Sequence, residues 1–321
     1  MHSRAPIAAG IALSLGLAFA LPAGAQEKYP SKPIDLLVPF APGASTDTGG
    51  RIIAQALEAR WKVPVRVVNK PGGNTVPAVS EVMTAKPDGT TILVDGMPQS
   101  SMLDTVVKTL PFKVEDRTFL AVTSYTPIMM FVPADSPFKT VKDAAESLKK
   151  DPGSFTWTSI GGASGLDMAF RQFCRDNGID VKKTRTVVTK GGSEAVTLAS
   201  GGHVMLGLGT YTGAAASLSA GKLRMIAVAA QERWPTIPET PTGKEMGFPS
   251  LNVEFWVGFS GPPKLPAHIV ETWTKALAEI VADPATKEKM AKVGLKDLYE
   301  DAATMQKRVA RERRDTQDLY K

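Results

Sequence analysis

The sequence predicts an α/β fold made of two open sheets with helices on both faces. Three observations point there. Short apolar runs alternate with helical patterns along most of the chain. Several of those runs end in a glycine loop that leads straight into a helix start, at 33–47, 65–75 and 155–165. The chain has 321 residues and a single cysteine, Cys174, so it is long enough for two cores and forms no internal disulfide.

The first group of elements opens at Ile34 to Phe40, where Leu36, Leu37, Val38 and Phe40 make an apolar run that Pro39 and Pro42 close. Gly43-Ala44 keeps the turn small, and Ser45 or Thr46 is expected to cap a helix over Asp47 to Arg60. A helix entered this way turns free backbone N–H groups toward the strand tip, an anion site that needs no arginine. A strand at Val65 to Val68, a helix at Val76 to Ala85 and a strand at Thr91 to Val94 follow. Pro87-Asp88-Gly89 is the turn into the last of these.

A second group starts with a strand at Ile128 to Val132 and a helix at Val141 to Lys149. It continues with the strand Phe155 to Thr158, a helix from near Ser164, and the strand Thr186 to Val188. The Lys190 to Ser193 loop then leads to a helix at Glu194 to Ser200 and strands at Val204 to Leu208 and Leu223 to Ala229. Beyond the prolines at 235, 238, 241 and 249 come a strand at Val253 to Phe259, a helix at Ala267 to Ala282 and a final helix after Asp301. The helix at Ala267 carries Ile269, Val270, Trp273, Ala276, Leu277 and Ile280 at helical spacing. Open α/β sheets bind ligands beyond the carboxyl ends of their strands, where the glycine loops lie. The expected site therefore sits between the two groups.

Arg4, the apolar run Ile7 to Leu21 and Ala23-Gly24-Ala25 read as a secretory signal peptide over residues 1–25. Cleavage there leaves 296 residues from Gln26 and lowers the formal charge from +6 to +5. The basic residues are scattered, with no stripe that would fit nucleic acid. Cys174 lies on an apolar helical face and is expected to be a buried, inert thiol. No zinc, calcium or nucleotide motif occurs, so no metal and no cofactor are expected. Gly162-Ala163-Ser164-Gly165-Leu166 begins like a hydrolase elbow but lacks its last glycine, and only His203 and His268 remain after cleavage.

Ordered signatures run through the chain: Tyr29 to Ile34, then Val38-Pro39-Phe40 with Gly43, Asp47 and Arg51, then Val68 to Asn74 and Pro87 to Leu93. Lys190-Gly191-Gly192, Gly221 to Arg224, Ile237 to Thr242, and Trp256 with Gly258 follow. Together they resemble the substrate-binding receptors of tripartite tricarboxylate transporters, the TctC-like or Bug-type family. The resemblance implies a two-domain type II periplasmic-binding-protein, or flytrap, fold. It also implies crossings near Tyr125 to Ile128 and Val253 to Trp256. Domain 1 would then comprise 26–127 and 252–321, and domain 2 would comprise 128–251. A monomeric periplasmic receptor is implied, without catalysis, that hands a small organic carboxylate to membrane permease subunits. Departures from the family pattern fall at Ala44, Asp167, Thr189, Met205 and Gly209. They put the ligand's identity in question more than the fold.

The candidate ligand residues follow from the loops. Gly43, Ala44, Ser45, Thr46 and Asp47 belong to the first, although Asp47 also suits a first helical turn on its own account. Asn74 and Thr75 belong to the second. Ser159, Gly161, Gly162, Ser164 and Asp167 come from the third, with Lys190 and Gly191 beside it. Met97 and Tyr211 are candidate walls. Two other functions remain open, a hydrolase using Ser164 and a ligand sensor that feeds a signalling protein.

Overall fold

The computed structural model describes residues 29–321. The signal peptide and the expected new terminus at Gln26 lie outside them. In chain order the elements are β1 Ile34–Val38, α1 Ser45–Trp61, β2 Val65–Asn69, α2 Val76–Thr84, β3 Thr91–Asp95, α3 Leu103–Val106 and β4 Thr118–Pro133. Next come α4 Val141–Lys150, β5 Thr156–Ser159, α5 Gly165–Asp176, β6 Arg185–Val188, α6 Gly192–Ser200, β7 Gly207–Gly209, α7 Tyr211–Ser219 and β8 Leu223–Ala229. The chain closes with β9 Glu254–Gly261, α8 Ala267–Ala282, α9 Pro284–Lys292, β10 Lys296–Asp301 and α10 Ala302–Leu319.

The first sheet runs in the order β10-β4-β9-β3-β1-β2. Strands β1, β2 and β3 are parallel, and β9 is antiparallel to both β3 and β4. Beyond it, β4 pairs antiparallel with β7 and β8. A parallel pair, β5 and β6, joins this second region through a bridge between Trp157 and Leu206. The elements around each sheet region form a lobe.

Strand β4 belongs to both lobes. It has 16 residues, and only its ends and Tyr125 are even partly exposed. Such a strand is buried on both faces and reads as a near-continuous apolar run. Its partner is β9 from Thr118 to Pro127 and β8 from Ile128 onward. The sequence places a strand start at Ile128, whereas β4 already begins at Thr118. Pro127 falls where β4 changes partners, so its missing N–H costs the ladder little.

Helix α8 forms as periodicity predicts, with Ile269, Trp273, Ala276, Leu277 and Ile280 buried. The second lobe is filled by aromatic rings. Trp157 stacks on Phe170 at 4.0 Å, and Phe155 lies between Phe170 and Phe138. Cys174 is 1% exposed, and burial pushes its thiol up to about 12. Helix α4 starts with a reciprocal cap, the Thr140 hydroxyl taking the Asp143 N–H while the Asp143 carboxylate takes the Thr140 N–H. Thr140→Ala is expected to cost about 1 kcal/mol of stability, read as a lower urea midpoint at unchanged slope.

Candidate ligand cleft

The cleft forms where strand ends from both lobes meet helix starts. Helix α1 begins at Ser45, with Ala44 as its N-cap and no side-chain cap. The expected hydroxyl cap is absent because Asp47 reaches back instead, its Oδ2 accepting the Gly43 N–H at 2.9 Å. The Asp47 carboxylate also accepts from Arg51 Nε and from Asn69 Nδ2, and Asn69 Nδ2 donates to the Phe40 carbonyl as well. Burial opposes ionisation here, yet Arg51, the Gly43 N–H and Asn69 hold the Asp47 carboxyl below the usual range. Asp47 is thus a strut under the first loop. That frees the hydroxyls of Ser45 and Thr46 from capping duty. Thr46 is 1% exposed, and its Oγ1 has no hydrogen-bond partner.

The second loop carries backbone strain. Asn74 and Thr75 both lie in the left-handed region, at φ 51° and 69°. A β-branched residue there is a genuine outlier, costing roughly 1–3 kcal/mol, and such strain clusters at functional sites. Thr75 Oγ1 is also buried without a partner. Asn74 Oδ1 lies 3.5 Å from the Ala163 N–H that it faces across the cleft.

Asp167 organises the third loop from within. Its carboxylate accepts from the hydroxyls of Ser159 and Ser164 and from the Ile160 N–H. Ser164 in turn caps α5 by accepting the Asp167 N–H. Burial pushes the Asp167 carboxyl up, against the pull of these bonds and of Arg171. Both carboxylate oxygens are occupied by the protein's own loop, so its place in the structure is that of a scaffold. Gly161, at φ +86°, packs against the Asn74 side chain, and its left-handed backbone would strain any other residue. Thr189 ties this loop to the next, its hydroxyl donating to the Ser159 carbonyl at 3.0 Å.

The first and third loops and the starts of α6 and α7 line a narrow cleft, whereas Gly43, Asn74, Thr75, Ser159, Gly161, Gly162 and Ser164 stand outside its lining. From the first lobe come Phe40, Ala44, Ser45 and Thr46, with Phe255 on β9. The second lobe contributes Ile160 and Leu166 around α5, Gly192 and Ser193 at the start of α6, and Gly209, Thr210 and Gly213 at the start of α7. The starts of α1, α6 and α7 therefore share one cavity, and no charged side chain lines it. Thr210, the N-cap of α7, makes no side-chain cap, and the first turn of α7 has no acidic residue. Ser193 Oγ meets the Pro42 carbonyl at 3.4 Å across the gap.

Several expected residues stand elsewhere. Met97 lines a different cavity with Arg308 and Glu312. Lys190 is exposed, and its backbone N–H binds the Glu194 carboxylate. Gly191 is buried against Ala41 and does not line the cleft. Tyr211 packs against Gly294. Ser193 and Thr210 were not anticipated, although each is a small polar residue at a helix start that follows a strand, the same signal that drew attention to Ser45. Phe40, Ile160, Leu166 and Phe255 carry no sequence signal that separates a cleft wall from core. Among the described residues no group of three His, Cys, Asp or Glu side chains could hold a metal ion.

Two lobes sharing a strand, with an uncharged cleft between helix starts, define a solute-binding receptor of the type II periplasmic class. The sequence profile described as "Tripartite tricarboxylate transporter family receptor" matches residues 50–320. The chain belongs to that family. It is 31% identical over 305 residues to a UPF0065 protein in the gbd 5′ region of Cupriavidus necator, covering 92% of this chain and 89% of the relative. The structure of the periplasmic binding protein BugD superposes with a TM-score of 0.84 at 25% identity, covering 91% of this chain and 97% of BugD. MatC from Rhodopseudomonas palustris with bound malate shares the fold, with a TM-score of 0.85 at 22% identity, over 91% of this chain and 100% of MatC.

Proposed function

We propose that this protein is an exported, non-catalytic receptor that closes on a small organic carboxylate and passes it to the membrane subunits of a tripartite transport system. The single observation that carries the reading is the buried, unpartnered Thr46 hydroxyl in a cleft of uncapped helix starts with no charged lining. A buried hydroxyl without a partner costs free energy, and a carboxylate oxygen would relieve it. Helix starts supply the positive end of the dipole, so the anion needs no arginine. The ligand-binding set is Gly43 to Thr46, Asn74, Thr75, Gly161 and Gly162, joined by Ser193 and Thr210. Asp47, Ser159, Ser164 and Asp167 shape the loops that present them.

The change of β4 partners at Pro127 and Ile128 supports a division into domain 1 (26–127 and 252–321) and domain 2 (128–251). Closure would bring the start of α1 against those of α6 and α7, and a ligand touching both would favour the closed state. The family supports delivery to permease subunits. The leader expected at 1–25 supports release into the periplasm, where the receptor would act as a monomer.

The hydrolase reading is weaker, because the Ser164 hydroxyl is 0% exposed and bonds Asp167 on both its donor and acceptor sides. Calorimetry of the mature chain against monocarboxylates, dicarboxylates, tricarboxylates and amino acids tests the proposal. Binding confined to carboxylates is the expected result, and binding of neutral sugars alone would overturn it. Thr46→Val, which keeps the shape and removes the hydroxyl, is expected to weaken the best ligand about tenfold.

A further inference from the structure

We infer that Tyr320 is a positioning residue that holds the Ser159–Ser164 loop against the first lobe and so sets how far the cleft stays closed. The inference rests on the proposed role of the cleft as a ligand site.

Helix α10 is fixed firmly in the first lobe. Its Glu312 carboxylate accepts the Trp256 indole N–H at 3.0 Å and the Ser101 hydroxyl at 2.7 Å. Met305 and Val309 on the same helix join the core. Tyr320 follows the last turn of α10 and crosses to the second lobe. There its hydroxyl donates to the Gly162 carbonyl at 2.5 Å. The Arg171 guanidinium of α5 lies over the ring at 4.0 Å, a cation–π contact that grips the same side chain from the second lobe. Burial raises the phenol, which therefore stays neutral and able to donate at physiological pH.

Gly162 stands two residues from Ile160, a cleft wall. Tyr320 thus acts on the ligand through the loop, without lining the cleft. The bond joins a first-lobe helix to a second-lobe loop, so any opening that parts α10 from that loop breaks it. An interaction present in one state alone shifts the population toward that state. Apparent ligand affinity scales with the closed fraction. Removing one hydrogen bond is then expected to reduce apparent affinity about three- to tenfold, with the loss in the dissociation rate.

The test compares the mature chain with Tyr320→Phe and Tyr320→Ala. Hydrogen exchange is followed without ligand over 159–166, with α8 as the internal reference. Tyr320→Phe is expected to speed exchange in the loop about three- to tenfold and leave α8 unchanged, and Tyr320→Ala to speed it further. Loop exchange equal to the parent in Tyr320→Phe would overturn the inference. A kinetic arm uses malate as the probe, with faster dissociation at unchanged association expected for Tyr320→Phe. Malate dissociating from Tyr320→Phe at the parent rate would count against it. A parent that binds no carboxylate would remove the ligand reading, while loop exchange would still decide whether Tyr320 holds the loop.

Discussion

Arg117→Ala is expected to destabilise the protein by about 3–5 kcal/mol, the range for breaking one side of a buried ion pair. Arg117 and Asp95 have fully buried side chains, 3.5 Å apart. Asp95 also accepts from the Gly96 N–H and the Ser100 hydroxyl. Arg117 donates to the Gln99 carbonyl, the Ser100 hydroxyl and the Val114 carbonyl. Together they staple the wide π-helical turn at Pro98–Met102 to the start of β4. Burial works to discharge Arg117, and Asp95 opposes that. With alanine at 117, Asp95 loses its counter-ion in a dry interior and the turn loses its anchor. Urea unfolding should show a large fall in the midpoint. Met at 117 together with Asn at 95 should recover much of the loss, because it removes both charges. A stability loss below about 1 kcal/mol for Arg117→Ala would show that the pair is not an anchor.

Asp167→Ala is the second large effect, because it strips the partner from three donors at once. The Ser159 hydroxyl, the Ser164 hydroxyl and the Ile160 N–H would all be left buried. An unsatisfied buried donor costs roughly 1–3 kcal/mol, and hydroxyls can re-aim, so a total of about 3 kcal/mol is expected. Affinity for the carboxylate should fall as well, since the loop carrying Ile160 loses its shape. Asp167→Asn keeps one acceptor and should cost about half as much. Equilibrium unfolding and calorimetry on the same samples separate the two effects. Wild-type affinity in a destabilised Asp167→Ala would detach the loop from the site.

The alternation that predicted an α/β protein is governed by local rules, and it is present in the fold. Helix α8 spans the residues that its apolar period marked out. Elements without such a period escaped notice. Helix α7 is a run of alanine, serine and glycine with almost no apolar contrast between its faces. Strand β10, Lys-Asp-Leu-Tyr-Glu-Asp, is a charged edge strand that looks like a loop. The first and third glycine loops were legible as helix entries. Their internal wiring was not, because Asp47 and Asp167 each chose between ligand and own backbone through tertiary geometry. The left-handed turn at Asn74 and Thr75 could not be foreseen either, since asparagine tolerates that region but the β-branched threonine beside it does not.

Strand β4 has a consequence for anyone who wishes to take the protein apart. One continuous backbone supplies an interior strand to both sheet regions. Neither lobe can be excised as a self-contained module, because either cut leaves a long apolar strand without half of its neighbours. A chimera that borrows the second lobe of a relative must inherit Thr118–Pro133 whole from one parent. Grafts are better joined in surface turns than at the apparent border between the lobes.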